Sequence, residues 1–419
     1  MSPRARERVG RRVVVTGMAG ITPLGNDWAR VGAGLREGRS GVARAASLEE
    51  IEGLRTRLAA PVEFEAPAEW PRKRTRGMGR VAKLATRATE RALAQAGLRD
   101  APALGDGRTG LAYGSTSGSP PDMVRYARAF GVDRSTKGVL PVQYTRLMSH
   151  TVAANLAQFF GLRGRVIPTC SACTSGSQAV GYGYEAVRYG QQEVMVCGGA
   201  EELHPIEVAV FDLLFATSTR NDAPQTTPRP FDAERDGLVV GEGAATLVLE
   251  SLEHARARGA PILAEVEGFG TNCDGRDLVR PDEEGMRGAM QRALADAALD
   301  AASVGFVCAH ATATELGDVA ESRAAHAVYG ASVPVFSPKG HLGHTLGACG
   351  AIESWITLEM LREGWVAPTR NLERVDPACA DLDYVRDAPR ALRVERAVNN
   401  NFAFGGVNTS LVFRRGDEA

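Results

Sequence analysis

Apolar residues in this chain gather into short, nearly continuous runs, and the segments between them repeat their apolar positions with a helical period. The runs Arg12 to Thr16, Gly110 to Tyr113, Val194 to Cys197, Ala244 to Leu249, Val304 to Ala309, Val333 to Phe336 and Leu411 to Phe413 predict strands. They scarcely alternate, as expected of strands covered on both faces. Helical spacing predicts helices at Trp28 to Leu35, Ala82 to Ala96, Gln178 to Tyr189, Gly285 to Ala298 and Asp318 to Val328. Strands alternating with helices imply an α/β architecture.

The pattern suggests two similar halves meeting near Glu250 to Ala260, residues 1–255 and 256–419, although their sequences are too dissimilar to demonstrate a duplication. No Pro/Ser/Gly linker divides them, so one compact body with a site built from both halves is expected. Composition fits a globular protein, with 44% hydrophobic and 24% charged residues over 419 positions. A net charge of −1 gives no global field for nucleic acid. The opening MSPRARERVGRR has arginines but no apolar targeting core, and no apolar stretch approaches ~20 residues, which predicts a cytoplasmic protein without a membrane span. Seven scattered cysteines suit a reducing compartment; Cys170 and Cys173 form the single CxxC, which leaves a redox pair open but lacks the second pair zinc requires.

Four segments carry candidate chemistry. Ala172-Cys173-Thr174-Ser175-Gly176-Ser177-Gln178 places a cysteine between an apolar stretch and a helix start. There the helix dipole predicts a lowered thiol pKa and a nucleophilic thiolate. The segment suits a small buried cysteine equally well, so partners elsewhere must decide. His310 follows a strand, where α/β folds place catalytic groups, although a lone strand-end histidine is more often structural. Lys339, His341 and His344 share a glycine-rich loop, and lysine occurs only four times in the chain, which singles out Lys339 from incidental surface charge. Glu353, on the next helix, is placed to neutralise it. Asn399 to Asn408 reads as a loop whose paired glycines let a backbone N–H face an oxyanion. No glycine-rich stretch matches a nucleotide-binding fingerprint.

Taken in order, SACTSGSQA, AHATATELGD, SPKGHLGHTLGACGAIES and NNFAFGGVNTS resemble the elongating β-ketoacyl-ACP synthases of the thiolase superfamily. The likeness extends to VVVTGMAGITPLGN and to STRNDAPQTTPRPFDAERDGLVVGEGAATLVLE, nearly the whole chain. It implies a thiolase-like five-layered αβαβα sandwich, normally a homodimer, with a related ketosynthase-like subunit as the other partner to consider. It implies decarboxylative condensation of malonyl-ACP with a cysteine-bound acyl chain, in fatty acid or polyene/polyketide synthesis. No cofactor or metal is implied, since phosphopantetheine arrives on the acyl carrier protein.

By the same resemblance Cys173 is the nucleophile, and His310 and His344 activate malonyl-ACP. Lys339, with Glu353, organises the site electrostatically. The N–H groups of Cys173 and Phe404 form the oxyanion hole, and Thr312 and Thr314 hold the pantetheine arm. Phe404 gates the site, with Phe211 and Ser117 along the acyl pocket. His341 is noncatalytic and Cys170 structural. Arg72, Lys73, Arg74 and Arg76, extended by Arg80 and Lys83, offer the acidic carrier a landing site, and Arg125, Arg128, Arg134 and Lys137 offer a second. Ala311, Ala403 and Val407 depart from the family pattern. Cys308 replaces an asparagine common near a structural cation, which argues against that ion, and these departures together suggest a specialised paralogue. Rival readings are a silent chain-length partner, which lacks the nucleophile; a thiolase or CoA-primed synthase, which lacks this histidine pair; and a cysteine hydrolase, which needs neither His344 nor Lys339.

Overall fold

The computed structural model describes residues 10–416, so the first nine residues of the arginine-rich opening lie outside it. Eleven strands form one continuous sheet: β1 (Val13–Ile21), β2 (Thr109–Gly114), β3 (Val166–Thr169), β4 (Val194–Glu201), β5 (Gly243–Ser251), β6 (Ala264–Cys273), β7 (Phe306–Cys308), β8 (Pro334–Phe336), β9 (Asp383–Tyr384), β10 (Arg396–Phe402) and β11 (Val407–Arg415). Their spatial order is β9-β8-β7-β10-β11-β6-β1-β5-β4-β2-β3.

From the centre outward, the first half reads β1-β5-β4-β2-β3 and the second β6-β11-β10-β7-β8. Both therefore run first, fifth, fourth, second, third in chain order, with β9 added at one edge. The pairing sense repeats as well: the inner two pairings are antiparallel and the outer two parallel in each half. The halves join where β1 lies antiparallel to β6, Val13 opposite Val266 and Val15 opposite Ala264.

Five helices complete the layers: α1 (Arg80–Gln95), α2 (Ser175–Arg188), α3 (Glu283–Ala297), α4 (Glu315–Tyr329) and α5 (Cys349–Glu363). Alternate residues of each strand feed different cores, because side chains project to opposite faces. Met195 and Cys197 of β4 and Leu247 of β5 join Val180 of α2 and Trp355 of α5 in a central core shared with Phe306 and Leu411. Their neighbours Val194, Val196 and Val248 pack outward on Val81, Leu84 and Ala88 of α1. On the far side, Val307, Val398 and Val412 pack under Met290 of α3 and Tyr329 of α4. The result is a five-layered αβαβα sandwich whose central helices α2 and α5 are covered by sheet on both sides.

Several strands run past their predicted ends, and β1 and β4 do so through glycines. β1 continues through Gly17 and Gly20, beyond the Thr16 at which the apolar run ends. A Cβ at Gly17 would lie 2.1 Å from the Ala92 carbonyl of α1, and one at Gly20 2.1 Å from the Trp355 ring. β4 likewise continues through Gly198 and Gly199. These glycines permit close approach of helix and sheet rather than a turn.

Candidate active site

Cys173 sits just ahead of α2, after Ala172, whose φ of +48° is in the left-handed region. This strained turn aims the thiol across the central layer, and such strain is typical of functional sites. His344 comes from the loop before α5 and is held by its own backbone, its N–H donating to Val239 O at 2.7 Å and its carbonyl accepting from Gly241 N at 2.8 Å. His344 Nε2 lies 3.0 Å from Cys173 Sγ. The His310 ring stands nearly perpendicular to that of His344, centroids 5.1 Å apart. The cysteine sulfur and one nitrogen of each histidine lie within 4.8 Å of one another. Three segments distant in sequence thus converge on one point.

His310 is held from behind. Its backbone N–H and that of Ala311 donate to the two oxygens of Glu321, at 2.8 and 2.6 Å. Burial pushes the Glu321 carboxyl up to about 8, against the pull of those two amides. Ala311 and Ala313 have φ of +20° and +66°, so the loop takes backbone angles for which glycine would be easier. Lys339 Nζ and Asn401 Nδ2 each lie 3.3 Å from His310 Nδ1. Both are donors, so Nδ1 accepts and Nε2 carries the ring proton. His344 Nδ1 is buried without a partner, so neither tautomer of that ring is locked.

Lys339 is fully buried and bonds Glu353 Oε1, while Asn401 Nδ2 donates to Glu353 Oε2 at 2.6 Å. Burial works against the ammonium, but the adjoining Glu353 carboxylate overcomes it and holds Lys339 above its ordinary value. Burial, reinforced by the Lys339 charge, pulls both His310 and His344 well below the usual imidazole range. Both rings are therefore neutral at physiological pH.

The lowered thiol pKa expected of Cys173 is overturned. Burial pushes this thiol up to about 12, with Lys339 opposing the shift and Glu201 adding to it. Desolvation of a fully enclosed thiolate outweighs a helix terminus. Cys173 is thus a thiol whose proton must be taken, and His344 Nε2 is the group in reach.

A cavity of about 540 Å³ opens onto these groups and is lined by Cys173, His310, His344, Thr312, Thr314, Phe211 and Phe404. The Thr312 and Thr314 hydroxyls lie 3.0 Å apart at its wall. Phe211 and Phe404 stack at 5.4 Å between centroids, and Phe211 also faces His344 at 6.5 Å. Ser117 does not line this cavity; its hydroxyl donates to Glu207 Oε1 at 3.1 Å, on the helix Pro205–Leu213 that also carries Phe211.

His341 is buried between the carbonyls of Arg39 and Pro368 and points away from the cavity. Arg72, Lys73, Arg74 and Arg76 are exposed, as a landing site requires. Arg80 is half-buried and adds little to that surface, because its guanidinium is paired with Glu242 and donates to the Val62 carbonyl. In the second patch Arg125 pairs with Asp122 and Arg128 with Asp133, which spends part of its charge, while Arg134 and Lys137 are exposed. Cys308 lies in the buried corner beside Glu353, whose oxygens are already taken, and burial holds its thiol protonated. Sulfur there does not suit a hard cation, which seeks oxygen.

Sequence reading missed Asn401 and Glu321 as supports of His310, and Cys349, whose Sγ donates to the Cys173 carbonyl at 3.2 Å. Three successive asparagines resemble a loop, and nothing in the one-dimensional pattern shows that β10 runs them through the centre of the sheet.

The β-ketoacyl synthase N-terminal domain family matches residues 10–255, and the β-ketoacyl synthase C-terminal domain family matches residues 263–373. The chain belongs to the β-ketoacyl synthase family. It is 36% identical to the 3-oxoacyl-[acyl-carrier-protein] synthase 1 of Haemophilus influenzae over 97% of this chain and 99% of the relative. A β-ketoacyl synthase crystal structure from Burkholderia phymatum superposes with a TM-score of 0.95 at 54% identity, covering 97% of this chain and all of that one. The ishigamide ketosynthase/chain length factor superposes at 0.90 with 32% identity and the same coverage. This β-ketoacyl synthase condenses malonyl-ACP with an acyl chain in fatty acid or polyketide synthesis.

Proposed function

We propose that Cys173 carries the acyl chain and that His310, His344 and Lys339 run the condensation around it. The observation that carries this reading is the contrast between the two rings: His310 is fixed as an Nε2–H donor, while His344 faces the thiol with an unlocked tautomer. In the first stage Cys173 Sγ attacks the thioester carbon, His344 Nε2 takes the thiol proton and returns it to the departing carrier thiol. The oxyanion is held by the backbone N–H groups of Cys173 and Phe404. In the second stage the malonyl thioester carbonyl accepts from Nε2–H of both His310 and His344. Carbon dioxide leaves, and the enolate carbon bonds to the acyl carbon as the Sγ–C bond breaks. Each donor aimed at the enolate oxygen is worth roughly 10²–10³ in rate. Lys339 fixes the His310 tautomer and keeps both rings neutral, and Glu353 holds Lys339 in place. Thr312 and Thr314 bind the pantetheine arm, and no further cofactor enters.

The carrier docks on Arg72, Lys73, Arg74 and Arg76. The assembly is a dimer, with itself or with a related subunit as in the ishigamide pair. β3 is an edge strand with Val166 exposed and packs on the helix Thr151–Phe160; beyond that helix, Pro120–Gly131 exposes Phe130 and Pro141–Leu147 exposes Tyr144, with Leu140 exposed just ahead of it. No helix among the described residues is long and apolar enough to cross a membrane, and we place the enzyme in the cytoplasm.

The test is a pair of assays, malonyl-ACP decarboxylation and acyl transfer to Cys173, on wild type, Cys173→Ser and His344→Ala. Cys173→Ser should lose acyl transfer, and His344→Ala should lose both activities by at least ~10². Wild type that forms no acyl-enzyme and releases no carbon dioxide would end the reading.

A further inference from the structure

The wall that carries Thr312 and Thr314 is held in shape from both halves of the molecule. It belongs to the loop between β7 and α4, in which Ala311 and Ala313 have φ of +20° and +66°, angles that persist only where the surroundings impose them. From the second half, Glu321 and Asp318 accept from the N–H groups of His310, Ala311 and Ala313. The first half grips the other side. Arg235 lines the same cavity with a side chain that is 2% exposed, and its guanidinium lies across the start of α4. Nε donates to the Thr314 carbonyl at 3.1 Å and Nη2 to the Glu315 carbonyl at 2.7 Å. Nη1 donates to the Asp232 carbonyl at 2.9 Å and to Asp376 Oδ2 at 2.6 Å. A cation at the first turn of a helix is opposed by the helix dipole, so α4 by itself does not favour this placement. Asp376, together with Asp318, whose Oδ2 lies 3.8 Å from Nε, supplies the compensating charge. The same Asp318 oxygen accepts from Phe231 N at 2.7 Å, a second link between the halves.

We propose that Arg235 is a positioning residue for the pantetheine arm: by fixing the two carbonyls it sets where the Thr312 and Thr314 hydroxyls, 3.0 Å apart, meet that arm. This rests on the ketosynthase reading, in which those hydroxyls bind the arm. Arg235 acts through the loop and takes no part in bond making. A lysine would keep the charge and lose the fork, since an ammonium does not reproduce the planar set of donors that meets two successive carbonyls and a carboxylate.

The experiment measures acylation of Cys173 by intact mass, with one acyl group presented either as its pantetheine thioester or as its S-ethyl thioester, which lacks the arm. Wild type should show the lower KM for the pantetheine thioester. Arg235→Lys should erase that advantage, raising the pantetheine KM by roughly tenfold relative to the S-ethyl KM, with the loss in KM rather than in kcat. Asp376→Asn loosens the guanidinium from its outer, partly exposed side and should act in the same direction, more weakly. In a Thr312→Val, Thr314→Val background, Arg235→Lys should add no further loss of selectivity. A merely structural role would slow both thioesters alike. Equal slowing, or a pantetheine advantage that survives Arg235→Lys, overturns this proposal alone, and Asp376→Asn decides in the same way if the lysine variant does not fold. Wild type without any pantetheine advantage also overturns it. Wild type acylated from neither thioester overturns the ketosynthase reading, and this proposal with it.

Discussion

The chemistry of Cys173 depends on which single groups hold protons. With the thiol pushed up to about 12, alkylation by iodoacetamide should speed about tenfold per pH unit from about pH 7 to pH 10. A plateau near pH 7 would mean a preformed thiolate and contradict this account. The buried histidines give a second test, in stability. His344 is pulled well below 6.5 in the folded state, so below that pH the unfolded chain binds a proton that the native one refuses. Stability is therefore lost as pH falls through the window below 6.5, at about 1.4 kcal/mol per pH unit for each such histidine. Raised carboxyls such as Glu321 act in the opposite sense, so the comparison must be with a variant. His344→Asn should lose less stability than wild type between pH 7 and pH 5 in urea titrations. An equal loss in both proteins would show that this ring is not held neutral.

Elements place these residues through contacts too close for side chains. A Cβ at Gly199 of β4 would lie 2.6 Å from the Gly347 carbonyl and 2.9 Å from Gly176 Cα at the start of α2. Gly199→Ala should therefore cost about 1–3 kcal/mol in urea unfolding and slow acylation by shifting the start of α2 under Cys173. Unchanged stability would mean that the interface yields more than its backbone contacts suggest. The apolar runs made most strands and the long helices legible, but the ends were misread wherever glycine marked close approach. Arg396–Phe402 was missed because Asn399, Asn400 and Asn401 are buried yet polar. Their placement is tertiary: Asn399 donates to Asn401 Oδ1 at 2.9 Å, and Asn401 to Glu353.

At the scale of the molecule, the repeated strand order makes visible the kinship of the two halves that sequence comparison could not demonstrate. One half supplies Cys173 and the other His310, Lys339 and His344, so the site exists only at their junction. The edge at β3 and the exposed side chains of Phe130, Leu140 and Tyr144 predict assembly through that side. Leu140→Asp combined with Tyr144→Asp should move the mass seen by light scattering from about twice the 44.5 kDa chain towards that of one chain. A mass unaffected by the two charges would place the interface elsewhere. The sequence by itself determined the α/β class and the order of the motifs, and those motifs carried the family resemblance that singled out Cys173, His310, Lys339 and His344 as candidates, because residue type, order and local period are one-dimensional properties. Only the tertiary structure decided that the Cys173 thiol is raised rather than lowered, that Arg80 is paired with Glu242, and that Ser117 meets the carboxyl of Glu207. Desolvation and hydrogen-bond partnership depend on what packs around a group from distant parts of the chain, and local sequence does not contain that information.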